Sequence, residues 1–261
     1  MKKGIMIIGH GSRYSYNKWI MEEQKRRLEE RGFDNIYIGF NETTYPLVND
    51  ALCEMASEGI DYVVAVPFFV ASGLHITRDI PGKLGIPPGA SGGCADVNGM
   101  KIEIKYEQPF GNDPALADIL SERIDELSGG KGKRSIMVVG HGSRLPHNKD
   151  TVTFQAEKLR EKGYADVHCA FNEFDEPRVE DVFDELVSNG SDEVIVLPLF
   201  ISLGAHLKHD IPGKIRLEDG MSEDTFVLDG RSITVRYAEP IGSDPRLTDI
   251  IAEKIRRREQ A

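Results

Sequence analysis

The chain repeats itself. Gly9-His10-Gly11-Ser12-Arg13 returns as Gly140-His141-Gly142-Ser143-Arg144, an offset of 131 residues (position 10 to position 141). The same offset carries Phe40-Asn41-Glu42 onto Phe171-Asn172-Glu173, Pro46 onto Pro177, Pro67 onto Pro198 and His75 onto His206. It carries Asp79-Ile80-Pro81-Gly82-Lys83 onto Asp210-Ile211-Pro212-Gly213-Lys214, and Asp113-Pro114 onto Asp244-Pro245, with no gap. Two copies at so long a period describe a duplicated domain, not a solenoid. The join falls in Ser128-Gly129-Gly130-Lys131-Gly132-Lys133, a polar, glycine-rich stretch suited to a linker. The repeat therefore sets lobes at 1–128 and 134–261, with 129–133 between them.

The repeat also sorts residues. Of seven histidines, four fall in register: His10 with His141, and His75 with His206. The others, His147, His168 and His209, face Tyr16, Tyr37 and Arg78, and Cys53, Cys94 and Cys169 all face other residue types. A site used by both copies must be built from the paired set. The cysteines lack metal-ligand spacing and read as reduced thiols.

Each copy alternates strand and helix. Gly4–Ile8 is a short apolar run fit for a buried parallel strand, and 35–40 and 61–66 are two more. A charged amphipathic helix runs from about Tyr16 to Glu30, ended by Gly32. Pro46 is expected to open a second helix. A short helix around His75 is expected to stop near Pro81. Lys101–Tyr106 is a fourth strand, and Asp113-Pro114 caps a last helix. Strands separated by helices imply an α/β fold: two tandem flavodoxin-like parallel-sheet lobes, with strand order 2-1-3-4 in each.

In that order His10, Glu42 and His75 all fall at the carboxyl edge of the sheet, where ligands of such folds bind. Two imidazoles and a carboxylate suit a divalent first-row transition metal with open coordination positions. His141, Glu173 and His206 repeat the set. Ser12 and Ser143 are expected to cap the following helix. Asp79 and Asp210, four residues after a histidine, could orient that imidazole or simply cap a turn. Asn41 and Asn172 read as turn formers at a strand end. Arg13, Arg144, Lys83 and Lys214 lie close enough to meet an anionic ligand. The formal net charge is −11, which lacks the basic footprint of a nucleic-acid binder and argues against adhesion to anionic membrane. No apolar run approaches the roughly 18 residues of a membrane helix, and the opening residues read as a first strand, so a cytoplasmic location is expected.

Gly-His-Gly-Ser-Arg after a first strand, then Phe-Asn-Glu, then Gly-x-His-x-x-x-Asp-Ile-Pro, resembles the class II tetrapyrrole metal chelatases. Within them the chain is most similar to the sirohydrochlorin chelatases, which insert cobalt, nickel or ferrous iron without ATP. The resemblance covers essentially the whole chain, once per copy. It implies two lobes related by a pseudo-two-fold axis, with the active-site cleft between them. It also implies a monomer that serves as a fused version of the short forms' homodimer. The family's metal-binding histidines carry onto His10, His75, His141 and His206, and its acidic partner onto Glu42 and Glu173. Co2+ is the expected metal, with Ni2+ or Fe2+ as alternatives, and the pathways implied are those of cobalamin, sirohaem or coenzyme F430. Long forms often keep the full histidine pair in one half only; this chain keeps it in both. Arg13, Arg144, Lys83 and Lys214 are then candidate partners for the carboxylates of the tetrapyrrole. Rival readings are a non-enzymatic metal or tetrapyrrole carrier, a metal-dependent hydrolase, and a histidine-nucleophile phosphatase. The last normally carries arginine directly before its histidine, where this chain has glycine.

Overall fold

The computed structural model describes residues 1–129, 132–202, 204 and 206–260. The first copy runs β1 (Lys3–Gly9), α1 (Ser15–Glu30), β2 (Ile36–Phe40), α2 (Val48–Ser57), β3 (Tyr62–Pro67), a π-helical turn (His75–Asp79), α3 (Ile80–Leu84), β4 (Gly92–Val97), β5 (Met100–Tyr106) and α4 (Ala115–Leu127). The second runs β6 (Arg134–Gly140), α5 (His147–Glu161), β7 (Val167–Phe171), α6 (Val179–Ser188), β8 (Glu193–Pro198), a π-helical turn (His206–Asp210), α7 (Ile211–Lys214), β9 (Glu223–Leu228), β10 (Arg231–Tyr237) and α8 (Leu247–Gln260).

The strands form two five-stranded sheets, ordered β2-β1-β3-β5-β4 and β7-β6-β8-β10-β9. The neighbours β2-β1-β3-β5 are parallel, as the apolar runs predict. Ile5, Met6, Ile7 and Ile8 are all buried, because helices cover both faces of the sheet. On one face Met6 and Ile8 join Val48, Leu52 and Met55 of α2 and Ile80 and Leu84 of α3 in a single cluster.

Three expectations need correction. The strand at Lys101–Tyr106 is the fifth, because β4 pairs antiparallel with it and adds an edge. Its sequence, Gly-Gly-Cys-Ala-Asp-Val, has little β propensity, so its signal lies in the turn instead. Asn98-Gly99 has both φ values positive (54° and 85°), and Asp229-Gly230 repeats this between β9 and β10 (50° and 76°), the preference of a tight primed hairpin turn. The helical segment at His75 does not stop at Pro81. It passes from the π turn into α3, where Pro81 occupies the first turn and needs no N–H partner, and ends at left-handed Gly85. Pro46 follows a cis peptide bond and precedes α2 by two residues instead of opening it.

The repeat boundary is also not the packing boundary. The family-sized repeats end at 128 and 261, yet the compact units are residues 1–110 with 242–261, and residues 111–241. Helix α8 therefore packs in the first unit, against α1 and β3, and α4 packs in the second, against α5 and β8. A buried glutamine seats each helix. In the first unit Gln24 Nε2 donates to the carbonyl of Gly242 (3.1 Å), and Gln24 Oε1 accepts from Thr248 Oγ1 (2.7 Å). In the second unit Gln155 Nε2 donates to the carbonyls of Gly111 (2.6 Å) and Asp113 (3.0 Å). Of the expected linker, Gly130 and Lys131 lie outside the described residues. Among the described residues, no helix is long and apolar enough to cross a membrane. All three cysteines are free.

Candidate metal centre

The parallel ladder between β1 and β2 continues past both strands. Asn41 N–H donates to the Gly9 carbonyl (2.8 Å), and Glu42 N–H to the His10 carbonyl (3.0 Å). That register sets His10 beside Glu42. Gly11 makes the approach sterically feasible: its φ is +92°, and a Cβ there would lie 1.7 Å from the Glu42 carbonyl oxygen. Gly142 repeats this against Glu173, at φ +85° and 1.6 Å. No other residue type fits such a contact at positive φ. Ser12 and Ser143 do not cap a helix as expected. Each hydroxyl accepts from the backbone N–H two residues on (3.1 Å), a local turn that precedes the helix.

His75 reaches the same place from the π turn after β3. Its ring centroid is 4.8 Å from that of His10, and the rings of His141 and His206 are 4.9 Å apart. Ligand atoms of His10, Glu42 and His75 all lie within 4.8 Å of one another, and so do those of His141, Glu173 and His206. The structure thus brings together all six residues that sequence register singles out as metal ligands, three in each unit. Nitrogen and oxygen ligands hold such an ion at about 2.0–2.2 Å, so an ion here would need these side chains rotated slightly inward. His10 and Glu42 are 46% and 50% exposed, which leaves open positions on an ion held there.

The imidazoles are oriented from behind. Nδ1 of His10 stands 3.1 Å from the Gly11 carbonyl, and Nδ1 of His141 stands 3.0 Å from the Gly142 carbonyl. A carbonyl only accepts, so Nδ1 is the donor in each contact, and in the first unit the same nitrogen stands 3.5 Å from Glu42 Oε1. Nδ1 of His75 lies 2.9 Å from Asp79 Oδ2, and Nδ1 of His206 lies 2.6 Å from Asp210 Oδ2. Of the two alternatives for these aspartates, the geometry selects the one that orients the ring. The hydrogen bond and charge of Arg78, reinforced by His75, hold the Asp79 carboxyl below its usual value.

Sequence reasoning missed Asn41 and Asn172. Each is 2% exposed, and its Nδ2 packs 3.1 or 3.2 Å from Nδ1 of His75 or His206; with that Nδ1 donating to the aspartate, the contact is packing against the ring and not a hydrogen bond to it. Lys83 fixes the Asn41 amide by donating to its backbone carbonyl and to Oδ1, and Lys214 does the same at Asn172. Both ammonium groups thus serve the asparagine. Arg13 is exposed and makes no ion pair among the described residues, and Arg144 lies over the Phe174 ring at 5.5 Å. The one signal for the asparagines was their place in the repeat beside glutamate.

The CbiX family model matches residues 4–127 and again 135–258. A sirohydrochlorin cobaltochelatase from Methanococcoides burtonii is 39% identical over 127 residues, covering 48% of this chain and 97% of that protein. One from Methanosarcina acetivorans is 35% identical over 126 residues, covering 48% and 96%. Two solved structures share the fold along the whole chain. SirB from Bacillus subtilis with Fe3+ has a TM-score of 0.74 at 20% identity, covering 98% of this chain and 95% of that one. SirB from Bacillus subtilis subspecies spizizenii with cobalt has a TM-score of 0.68 at 19% identity, covering 98% and 94%. With the model matched in both halves and relatives spanned nearly end to end by one half, the chain belongs to the CbiX family and carries the family's unit twice.

Proposed function

We propose that this protein inserts a divalent metal into sirohydrochlorin without ATP, with Co2+ as the first candidate and Ni2+ or Fe2+ as alternatives. The observation that carries the reading is the pair of half-exposed His–Glu–His clusters, one in each unit. The names of the half-length relatives support sirohydrochlorin as the substrate and cobalt as the metal. A chelatase must hold its ion firmly enough to collect it and loosely enough to release it. Two neutral imidazoles and one carboxylate at an exposed position satisfy both demands. The imidazoles of His10 and His75 then bind the incoming ion with Glu42, and His141, His206 and Glu173 do so in the other copy.

Insertion also displaces the pyrrole N–H protons. Glu42 and Glu173, half exposed beside the ligands, are placed to accept them and pass them to water. Arg13 and Arg144 are the proposed partners of the macrocycle's carboxylates. Leu74 and Phe174, 52% and 54% exposed next to the clusters, offer apolar surface to its face. Lys83 and Lys214 act one step removed, as anchors of Asn41 and Asn172. Cobalt insertion would place the enzyme in cobalamin formation, iron in sirohaem and nickel in coenzyme F430.

The test is anaerobic insertion of Co2+, Ni2+ and Fe2+ into sirohydrochlorin, followed by its absorption spectrum over many turnovers. The His10→Ala/His141→Ala double variant is expected to lose most of the rate. Undiminished insertion by that variant would overturn the mechanism. Product limited to one equivalent per protein would favour a carrier instead.

A further inference from the structure

The two clusters share their ligands but differ in what stands behind them. In the first unit the Asp79 carboxylate is divided. Its Oδ2 faces His75 Nδ1 at 2.9 Å, and its Oδ1 accepts from Arg78 Nε, also at 2.9 Å. The repeat places His209 where Arg78 stands, and that ring turns away to Asp219, 2.6 Å from its Oδ2. Among the described residues Asp210 is left to His206, and the contact tightens to 2.6 Å. A carboxylate behind a metal-binding imidazole raises the basicity of the free ring nitrogen, and a guanidinium on the same carboxylate takes part of that effect away.

The surroundings differ in the same sense. Thr44, whose Oγ1 accepts from the Ser12 N–H (2.9 Å), is replaced by Asp175, whose Oδ2 accepts from the Ser143 N–H (2.8 Å). Asn49 is replaced by Glu180, whose Oε2 lies 3.2 Å from Lys214 Nζ. Both exchanges add negative charge beside the second cluster. Two cations are added as well. Arg178 replaces Leu47 and its Nη1 donates to the Asn172 carbonyl (3.3 Å), but its Nε stands 3.3 Å from Glu176, a third added carboxylate, which replaces Tyr45. Lys208 replaces Thr77 and lines, with His209, a cavity that His206 does not line. The second cluster therefore sits in the more negative field.

We infer that the two half-sites are unequal: the one formed by His141, Glu173 and His206 holds a divalent cation more tightly, and Arg78 weakens the one formed by His10, Glu42 and His75. The inference rests on the reading of both clusters as metal-binding centres. At limiting metal the C-terminal half-site fills first.

The experiment titrates Co2+ alone into the whole protein by calorimetry, with the absorption bands of the bound ion as a second readout. Two steps about tenfold apart in Kd are expected, the size of effect that partners of a metal-binding histidine commonly exert. His10→Ala/His75→Ala should retain the tight step, and His141→Ala/His206→Ala the weak one. Arg78→Ala, a change at an exposed side chain, should tighten the weak step severalfold and leave the other unmoved. Steps of equal affinity, a tighter N-terminal step, or a weak step indifferent to Arg78→Ala would overturn the inference and leave the metal centres standing. Absence of both steps would overturn the metal centres and the inference together.

Discussion

At the scale of single residues, the site depends on close backbone approach as much as on its ligands. Gly11→Ala should separate the His10 and Glu42 backbones, because the added methyl meets a carbonyl oxygen at a positive φ. The expected cost is more than about 1 kcal/mol of stability, together with a weakened Co2+ step, and chemical denaturation and calorimetry check each. Asp210→Asn keeps the shape but removes the charge behind His206. It should weaken Co2+ binding at that half-site by roughly 10–100-fold with little change in stability, since the group is 45% exposed. Asp79→Asn should do less, because Arg78 already shares that carboxylate. The clustered residues themselves were legible in the sequence, since the constant offset separated four histidines from three. Asn41 was not. An asparagine at a strand end has a sufficient local reason to be there, and the network linking it to Lys83 and His75 joins residues some forty positions apart that only the fold brings together.

At the scale of elements, buried parallel strands announce themselves by apolar runs, and β1, β2 and β3 were readable for that reason, while β5 was readable by its alternation of apolar and charged residues. Strand β4 lies at an edge, takes its partner from the antiparallel side and has little apolar content, so only Asn98-Gly99 marked it. The helices carry a more useful difference. Gln24 Oε1 is satisfied by Thr248 of α8, but the matching residue of α4 is Ala117, and Gln155 Oε1 is buried without a partner. Ala117→Thr should supply the missing hydroxyl in a space that the first unit shows to be sufficient. The expected gain is about 0.5–1.5 kcal/mol, read as a rise in the thermal midpoint by calorimetry. A fall would mean that the pocket around Ala117 is tighter than its counterpart.

At the scale of the whole molecule, duplication preserved the order of elements and obscured their destinations. Sequence register maps α4 onto α8 so well that nothing in the chain says which unit either helix joins. The assignment depends on packing: α8 with α1, and α4 with α5. Removing residues 242–261 should therefore damage the far end of the sequence. Hydrogen exchange is expected to show lost protection in β1 to β3 and retained protection in β6 to β8. Equal protection in both sheets after the deletion would contradict the packing described.

The exchange of terminal helices also bears on how such a chain is made. A nascent polypeptide leaves the ribosome from its amino end, and domains ordinarily close in that order. Here the unit of residues 111–241 is continuous, while the other joins residues 1–110 to residues 242–261. Translation thus completes the middle of the molecule before its beginning. The cluster of His10, Glu42 and His75, its residues already synthesised, should gain the support of α8 beneath its sheet only after residues 111–241 have emerged.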